Sequence, residues 1–434
     1  VDRRVDAFGT NAVTGDHGHG PAEGGSHEGT GYWNYGMNYA MRYGLSWESA
    51  TGKKHPALEI PELAMSLFFP IDFTGLSFGD NDGWHPTCFY FALAHRLEQP
   101  AAALSAAAYL SKHGDPPPNE RDRFGFVADG DLLFAADYIP KADTVQMLRE
   151  SHAEMKQPVA RIYKGLDWGI LADDNSFPSL RLAVRGGSSK VGGHGMIDLL
   201  SFRSRINGEL MITDQQDGAY MPTTFTKRGS ELYGRSIASK STLFVDGLGC
   251  MADVTCDKTE VVKANDLVGI RIDGSHIFLP RWKDVFIGRL FLLVENNYWL
   301  IVDHVVGATE VDGHWTEARF HTYAESQKDE QGVSLKSGDE SMQMAFASLS
   351  KALLQESLGM PSQPQSKQTT IFRWMTRECV SDQMLVTGMI PGSKNLELYV
   401  QKEEKDSYLI KVTTPDGNVR NIRLTDKLHL KDLP

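Results

Sequence analysis

The sequence predicts an α+β protein of more than one domain, with helical hairpins first and a large antiparallel β-sandwich after them. Three observations support this: a length of 434 residues, apolar residues at helical spacing before about residue 180, and short β-branched runs between tight turns after it. We therefore predict a helical domain over residues 1–180 and a sandwich over residues 181–434, with a small separate sheet from about residue 370 as an option.

The helical part is predicted from residue types and from the breakers between segments. The stretch "HPTCFYFALAHRLEQPAAALSAAAYLSKHG" is rich in Ala and Leu, which favour helix, while "DGDLLFAADYI" and "ADTVQMLRESHAEM" carry apolar residues at helical spacing. Breakers such as "GDNDGWHP" and "GDPPPN" separate these segments. The pattern is typical of amphipathic helices joined as hairpins.

The β part is predicted from strands that follow one another closely. "LLSFRSRINGELMITD" and "FIGRLFLLVENNYWLIVDHVVG" contain Asn-Gly and Asn-Asn turns, and "NLELYVQKEEKDSYLIKVTTPDGNVRNIRLTDKL" alternates apolar and polar residues. Short connections of this kind join antiparallel strands, because parallel strands need a long crossover. Two stacked antiparallel sheets are therefore expected.

Composition excludes some classes of protein. The net charge of −12 argues against a general nucleic-acid binder, which needs a basic surface to neutralise phosphates. No apolar stretch approaches the roughly 18 residues that a membrane-spanning helix requires. The four cysteines lack metal-type spacing and fit anything from free thiols to two disulfides. The chain opens with "VDRRVDAFGT", without an initiator Met or a signal peptide, which is typical of a processed or truncated start.

Two stretches carry the candidate chemistry. In "EGTGYWNYGMNY", residues 28–39, a helix starting near Thr30 would place Tyr32, Tyr35 and Tyr39 on one face, where a core stripe would usually be aliphatic. In "RGGSSKVGGHGMIDLLSF", residues 185–202, His194 is surrounded by glycines, which allow close backbone approach. A flexible connector that happens to contain a histidine is the alternative for the second stretch.

Together the two stretches resemble motifs of the heparinase II/III-like polysaccharide lyases, including the oligoalginate lyase branch. The family motif E-G-x-x-Y-W-x-Y-G is matched by "EGTGYWNYG". The second motif, S-N-x-H-G-H-x-D-x-x-S-F followed by a strand and D-x-G-x-Y, is matched in part by "SSKVGGHGMIDLLSF" and "TDQQDGAY". The resemblance implies an (α/α) toroid, here in part, joined to an antiparallel β-sandwich, and a bacterial periplasmic or extracellular protein.

The resemblance also implies roles for individual residues. Tyr32 matches the catalytic tyrosine of the family, and Tyr35 the second phenol. His194 matches the catalytic histidine, while Asp198 and Asp214 match the two acids that follow it.

Some members of the family hold zinc, and here two of the implied ligands differ. The second histidine of H-G-H is Met196 in this chain, and a further histidine is replaced by Lys240. A thioether and an ammonium suit Zn²⁺ poorly, so that only Asp214 keeps its ligand type. We expect chemistry without a cofactor and a structural zinc site that is absent or rebuilt.

The family also places an Asn, or an Asn-His pair, far ahead of the tyrosine, to neutralise the carboxylate of the substrate. Only 31 residues precede Tyr32 in this sequence. His17, His19 and Asn11 are candidates for this role, and a solvated Gly/His loop is the alternative reading of that stretch.

The implied reaction is β-elimination on a uronic-acid polymer such as a glycosaminoglycan or alginate. A base removes the proton beside the carboxylate, an acid protonates the leaving oxygen, and a neutralised carboxylate makes the enolate accessible. Tyr32 is predicted as acid, and also as base where proton and leaving group lie on the same face, with His194 as base or carboxylate neutraliser. The predicted substrate-binding residues are Tyr35, Glu28, Arg185 and Trp33.

Several further residues allow two readings. Trp84 and Trp282, like Trp33, could stack on sugar rings, although burial is the more common state of a tryptophan. Glu28 could instead complement the dipole at a helix N-terminus. His314 and His321 are expected to be surface or core residues. The candidates for positive charge near an acidic polymer are Arg203, Arg205, Arg235 and Lys240.

Two other functions remain open from the sequence. A glycoside hydrolase would need two carboxylates across one cleft, and Glu28 with Asp80 or Asp82 is the available set. A non-catalytic carbohydrate-binding protein would explain the partial match of the second motif. The expected partner is an acidic polysaccharide or oligosaccharide substrate.

Overall fold

The computed structural model describes residues 24–79, 82–113, 136–141, 143–147, 157–190, 194–215, 220–278, 282, 284–361, 367–404 and 406–431. The chain divides into two compact units. The first contains the described residues before 158 together with 163–166 and 174–178, and the second contains 158–162, 167–173 and the described residues from 179 onward.

The described helices of the first unit are α1 Thr30–Thr51, α2 Glu62–Ser66, α3 Phe68–Phe73, α4 Cys88–Arg96 and α5 Pro100–His113, with 3-10 turns at Pro56–Leu58 and Ala136–Tyr138. The long Ala- and Leu-rich stretch forms two helices, α4 and α5, because Pro100 cannot donate a backbone hydrogen bond inside a helix and instead starts the next one. Of the other predicted helical stretches, 129–139 and 142–155, the structure describes residues 136–139, which include the 3-10 turn, and residues 143–147, which are helical. The rest of both stretches lies outside the described residues.

Helix α1 packs one face into the first unit. Trp33, Met37 and Met41 recur at intervals of four residues and are at most 2% exposed. The Trp33 indole donates to Ser66 Oγ at 2.8 Å, so its polar atom is satisfied inside the core. The helix ends at Gly52, whose φ of 65° is left-handed, and the Gly52 amide closes on the Glu48 carbonyl.

The second unit is built from antiparallel sheets. The first sheet has the order β1 Val159–Tyr163, β2 Trp168–Ala172, β3 Leu180–Arg185, β4 Phe202–Ile206 and β5 Glu209–Ile212. An eight-stranded sheet has the order β12 Glu325–Lys328, β13 Val333–Ser337, β14 Glu340–Ser348, β17 Asp382–Pro391, β10 Tyr298–Val306, β9 Phe286–Val294, β8 Leu267–Asp273 and β7 Lys258–Ala264.

Two smaller sheets complete the described β-structure. A four-stranded sheet has the order β15 Ala352–Leu358, β16 Thr370–Thr376, β11 Thr316–Thr322 and β6 Leu243–Val245, and a three-stranded sheet has β18 Glu397–Glu404, β19 Ser407–Thr413 and β20 Val419–Thr425. The predicted Asn-Gly turn joins β4 to β5, with Asn207 and Gly208 at positive φ of 48° and 89°. The prediction of helices first and antiparallel sheets second is confirmed.

The eight-stranded sheet is apolar on both faces. In β9, Phe291 and Leu293 belong to a core shared with the five- and four-stranded sheets. Leu290 and Leu292 point the other way, into a core shared with the three-stranded sheet. This explains why the sequence of β9 is an apolar run rather than an alternation, and it adds a third layer to the predicted sandwich.

Two details differ from the sequence prediction. Strands begin at Val159, before the predicted boundary at residue 180, because a tight turn with Gly165 and Asp167 at positive φ already pairs β1 with β2. The separate C-terminal sheet begins at Glu397 rather than near residue 370. Strands β16 and β17 enter the larger sheets by pairing with β11 and β10, which are distant in sequence.

Helices of the described ranges are all too short or too polar to cross a membrane.

Candidate active site

The tyrosine face predicted for α1 is present. The helix begins at Thr30, Tyr35 and Tyr39 are 43% and 45% exposed, and their rings meet edge to face with centroids 5.2 Å apart. Tyr43 continues the exposed face, and Tyr32 is half-buried in the first turn. The phenols therefore lie opposite the buried Trp33–Met41 face rather than in the core.

The start of α1 is held by close backbone packing. Gly29 precedes the helix with a φ of 95°, and the Thr30 amide donates to Ser77 Oγ at 3.1 Å. A side chain at Gly79 would overlap the carbonyl of Glu28, so only glycine allows this approach. These contacts fix the turn that leads directly into Tyr32.

Glu28 is half-buried and lies outside the first turn of α1. Its amide donates to Ser26 Oγ at 3.4 Å, and the first turn itself contains no acidic residue. Glu28 directly precedes Gly29, the residue before the helix, so both its reading as a charge at the helix N-terminus and its predicted contact with substrate stay predictions.

Two tryptophans predicted to stack on sugar are core residues. Trp33 and Trp84 are 2% and 1% exposed, so neither presents a ring face to a ligand. Trp282 is half-buried and packs against Phe278 and His314, with ring centroids 5.6 and 5.4 Å away. The sequence does not distinguish these cases because burial depends on distant neighbours.

Arg185 is buried at the end of β3, so the prediction that it contacts the sugar is wrong. Its Nε donates to Asp198 Oδ1 at 3.0 Å, its Nη2 to the Ser188 carbonyl at 2.6 Å, and its Nη1 to the Gly186 carbonyl. With 2% exposure and donors on three partners, the guanidinium stabilises the loop that leads toward His194.

His194 lies in an aromatic group on the second unit. Its Nδ1 is 3.3 Å from the Tyr220 hydroxyl, and its ring meets Phe225 edge-on at 5.2 Å. Tyr220 and Phe225 are 52% and 55% exposed, with centroids 4.8 Å apart. An imidazole beside a phenol, both reachable from solvent, is an arrangement that can exchange protons with a bound molecule.

A cleft of about 340 Å³ lies beside this aromatic group. Its lining includes Gly195, Met196, Phe225 and Arg235. Arg235 is 6% exposed and its Nη2 donates to the Gly195 carbonyl at 2.7 Å, which holds the backbone next to His194. The exposed Lys227 adds positive charge at the rim.

The segment after His194 is tied down by polar contacts. Asp198 pairs with Arg185, Ser201 Oγ donates to Asp214 Oδ2 at 3.2 Å, and Arg289 Nη1 donates to the Leu200 carbonyl at 2.8 Å. Leu200 has a φ of 64°, a strained value that these contacts hold in place. Burial raises the pKa of Asp198, and the Arg185 guanidinium opposes that rise. The motif residues Asp198 and Ser201 thus shape the turn.

The donors at the predicted metal position do not fit zinc. Asp214 is 2% exposed and accepts from Ser201 Oγ and from the Ser241 amide at 2.7 Å, with Arg203 Nε 3.5 Å away. Within the ranges the structure describes, there is no cluster of three His, Cys, Asp or Glu side chains suited to a metal ion. Met196 and Lys240 stand at the two positions where the family resemblance implies histidines, and neither is a zinc ligand of the usual kind.

The positive charges expected to face the polymer are mostly internal. Arg203, Arg235 and Lys240 are 2%, 6% and 0% exposed. The prediction that they lie near the polymer is wrong for Arg203 and Lys240, which contact a carboxylate or carbonyl oxygens inside the unit. Arg235 lines the cleft beside His194, so its predicted role stays a prediction. Arg205 is half-buried and donates to the Gly208 carbonyl of its own hairpin.

The remaining candidates have structural surroundings or lie outside the described residues. His314 is buried with Nδ1 2.9 Å from Asp246, and His321 is fully buried in β11, as core histidines would be. Asp82 accepts from the Gly75 amide at 2.8 Å. The four cysteines are free thiols. The candidates outside the described residues are Asn11, His17, His19 and Asp80.

Sequence reasoning assigned no role to two residues that the structure places beside His194. Tyr220 is the tyrosine of "DGAY", and that match to the D-x-G-x-Y motif was the available signal. Phe225 lies five residues further on and carries no such signal. Its contact with His194 depends on how the loop folds back.

Comparisons with known proteins give one family model and several solved structures of similar fold. A family model described as Heparinase II/III-like, C-terminal, matches residues 164–382. A solved structure of heparinase III has a TM-score of 0.50 at 11% identity, covering 91% of this chain and 76% of that one. A heparan sulfate lyase from Pedobacter heparinus has a TM-score of 0.51 at 12% identity, covering 91% and 70%. At such identity the likeness shows the fold alone. No curated protein sequence matches the chain.

Proposed function

The chain belongs to the heparinase II/III-like family, and we propose that it is a polysaccharide lyase that cleaves a uronic-acid-containing chain by β-elimination. The observation that carries the proposal is the partly exposed His194 imidazole, 3.3 Å from the Tyr220 hydroxyl at the edge of a cleft. In the first unit, the phenols of Tyr35, Tyr39 and Tyr43 are exposed along α1.

The proposed roles follow from what elimination requires. The proton next to a carboxylate becomes removable when the carboxylate is neutralised, and the leaving oxygen must receive a proton. His194 acts as the base or as the neutralising group, and Tyr32 as the acid. Tyr35 positions the sugar from the exposed face of α1, and Tyr220 orients the His194 ring through Nδ1.

The substrate is proposed to be a glycosaminoglycan or alginate. The similar solved structures are called heparinase III and heparan sulfate lyase, which favours a glycosaminoglycan. We further propose that the helical unit is part of an (α/α) toroid and that the protein acts in the periplasm or outside the cell. Family membership supports both proposals.

The test is the ultraviolet absorbance of the unsaturated uronate that elimination leaves at the new non-reducing end. Heparan sulfate, chondroitin sulfate, hyaluronan and alginate are each incubated with the protein, and reducing ends are counted in parallel. A lyase produces both signals on one of these polymers. New reducing ends without absorbance would indicate a hydrolase, and binding without either product would indicate a non-catalytic protein.

Variants then test the assigned residues. Tyr32→Phe and His194→Gln are expected to lower kcat by about 10²- to 10⁴-fold, the usual contribution of a positioned acid or base. Tyr43→Phe is the matched control, because Tyr43 is an exposed tyrosine three turns further along α1. Full activity in Tyr32→Phe would rule out its role as the acid.

A further inference from the structure

Lys240 is a fully buried lysine within the second unit. Its side chain has 0% exposure, and its Nζ lies 2.7 Å from the Gly234 carbonyl oxygen, 3.4 Å from the Gln215 carbonyl oxygen and 3.3 Å from Met196 Sδ. A buried ammonium is costly unless acceptors surround it, and here the acceptors come from three separate stretches of chain.

One of the three stretches carries His194, and a second carries Arg235, which donates to the Gly195 carbonyl. Met196 follows His194 by two residues, Gln215 follows Asp214 at the end of β5, and Gly234 lies in the 3-10 turn Tyr233–Arg235. One ammonium therefore joins the loop of the candidate catalytic histidine to two other segments, a connection that a bound metal ion often makes.

The charge of Lys240 acts on the groups around it. It lowers the pKa of Asp198 against the raising effect of burial, and it lowers the pKa of His321 together with burial and Arg319. The amide of the next residue, Ser241, donates to Asp214 Oδ1 at 2.7 Å. The ammonium therefore favours the charged form of the buried Asp198 carboxylate.

We propose that the Lys240 ammonium takes the place of a metal ion: it is a fixed internal cation that joins the His194–Met196 loop to Gln215 and Gly234, and the second unit folds without zinc. The thioether and ammonium, 3.3 Å apart, leave no pair of imidazoles or thiolates for zinc to bind. The inference concerns metal content and stability, so it can fail while the proposed lyase activity holds.

The first measurement needs no variant. The native protein, produced in zinc-supplemented medium and dialysed, is assayed for zinc by elemental mass spectrometry and for thermal unfolding with and without a chelator. We expect zinc far below one ion per chain and an unchanged Tm in chelator. Stoichiometric zinc, with a Tm that falls when the chelator removes it, would overturn the proposal.

Variants test whether the ammonium occupies a cation position. Lys240→Met removes the charge at similar length and should lower Tm by several degrees, because buried carbonyls lose their donor. Lys227→Met, at an exposed lysine in the same segment, should leave Tm unchanged. An equal Tm for Lys240→Met and the native protein would contradict the proposal.

The double variant Met196→His/Lys240→His places two imidazoles where the thioether and the ammonium lie 3.3 Å apart. We expect it to bind about one zinc ion per chain and to regain, on zinc addition, the Tm that Lys240→Met loses. A folded double variant that binds no zinc would show that this is not a cation position. If the double variant does not fold, the zinc content of the native protein still decides the question.

Discussion

Lowering the pH is expected to destabilise the second unit through one buried histidine. His321 in β11 is fully buried, with Nδ1 3.0 Å from Thr369 Oγ1, and burial, followed by the charges of Arg319 and Lys240, lowers its pKa to about 3. A histidine in the unfolded chain has a pKa of about 6.5. Protons therefore bind the unfolded chain first as the pH falls.

The size of the effect follows from that difference. Above about pH 6.5 the titration of His321 does not change the free energy of unfolding. Below that value the free energy of unfolding falls by about 1.4 kcal/mol for each pH unit until the pH approaches 3. At about pH 5 the loss attributable to His321 is about 2 kcal/mol, and it approaches about 5 kcal/mol near pH 3. These are contributions to the free energy of unfolding.

The assay is urea unfolding followed by tryptophan fluorescence at about pH 7.5 and about pH 5. The native protein should lose about 2 kcal/mol more than His321→Gln between the two conditions, because glutamine does not titrate. His429→Gln serves as control, since the side chain of His429 is 49% exposed. Equal losses in the native protein and in His321→Gln would refute the assignment of a buried neutral imidazole.

Two further predictions concern stability. Arg289→Met leaves Asp303 buried without its two-point partner, at 2.6 and 3.1 Å, so urea unfolding should show a loss of about 3–5 kcal/mol; a loss below about 1 kcal/mol would contradict this. Gly79→Ala places a methyl group against the Glu28 carbonyl and should lower Tm more than Gly52→Ala does. The methyl group of Gly52→Ala meets no neighbouring atom, so that variant loses only about 1 kcal/mol of stability, for the positive φ at this position. Equal Tm values for the two alanine variants would argue against close packing at Gly79.

Local features were predictable from the sequence. The start of α1 near Thr30, its face of tyrosines and the Asn-Gly hairpin between β4 and β5 depend on residues close together in the chain. Backbone preferences and side-chain periodicity act over such distances, so pattern and turn residues suffice to predict them. The order of helices before strands follows from the same local signals.

The partners of charged residues were not predictable. Arg185 and Lys240 were expected near a substrate, yet Arg185 pairs with Asp198 and Lys240 contacts Met196, 44 residues away. The sequence shows which side chains are charged, whereas the exposure of each side chain depends on which distant segments pack over it. For the same reason Trp33 is a core residue beside Ser66, 33 residues further along.

The amino-acid sequence by itself determined the class of fold, the tyrosine and histidine motifs and the poor fit of Met196 and Lys240 to zinc, because these depend on residue type and short spacing. Only the tertiary structure decided that the Tyr220 hydroxyl lies beside His194 and that the Lys240 ammonium joins three separate segments of the chain. Those contacts join segments that are far apart in the sequence, so local patterns do not predict them. They form because a buried polar group needs a hydrogen-bond partner.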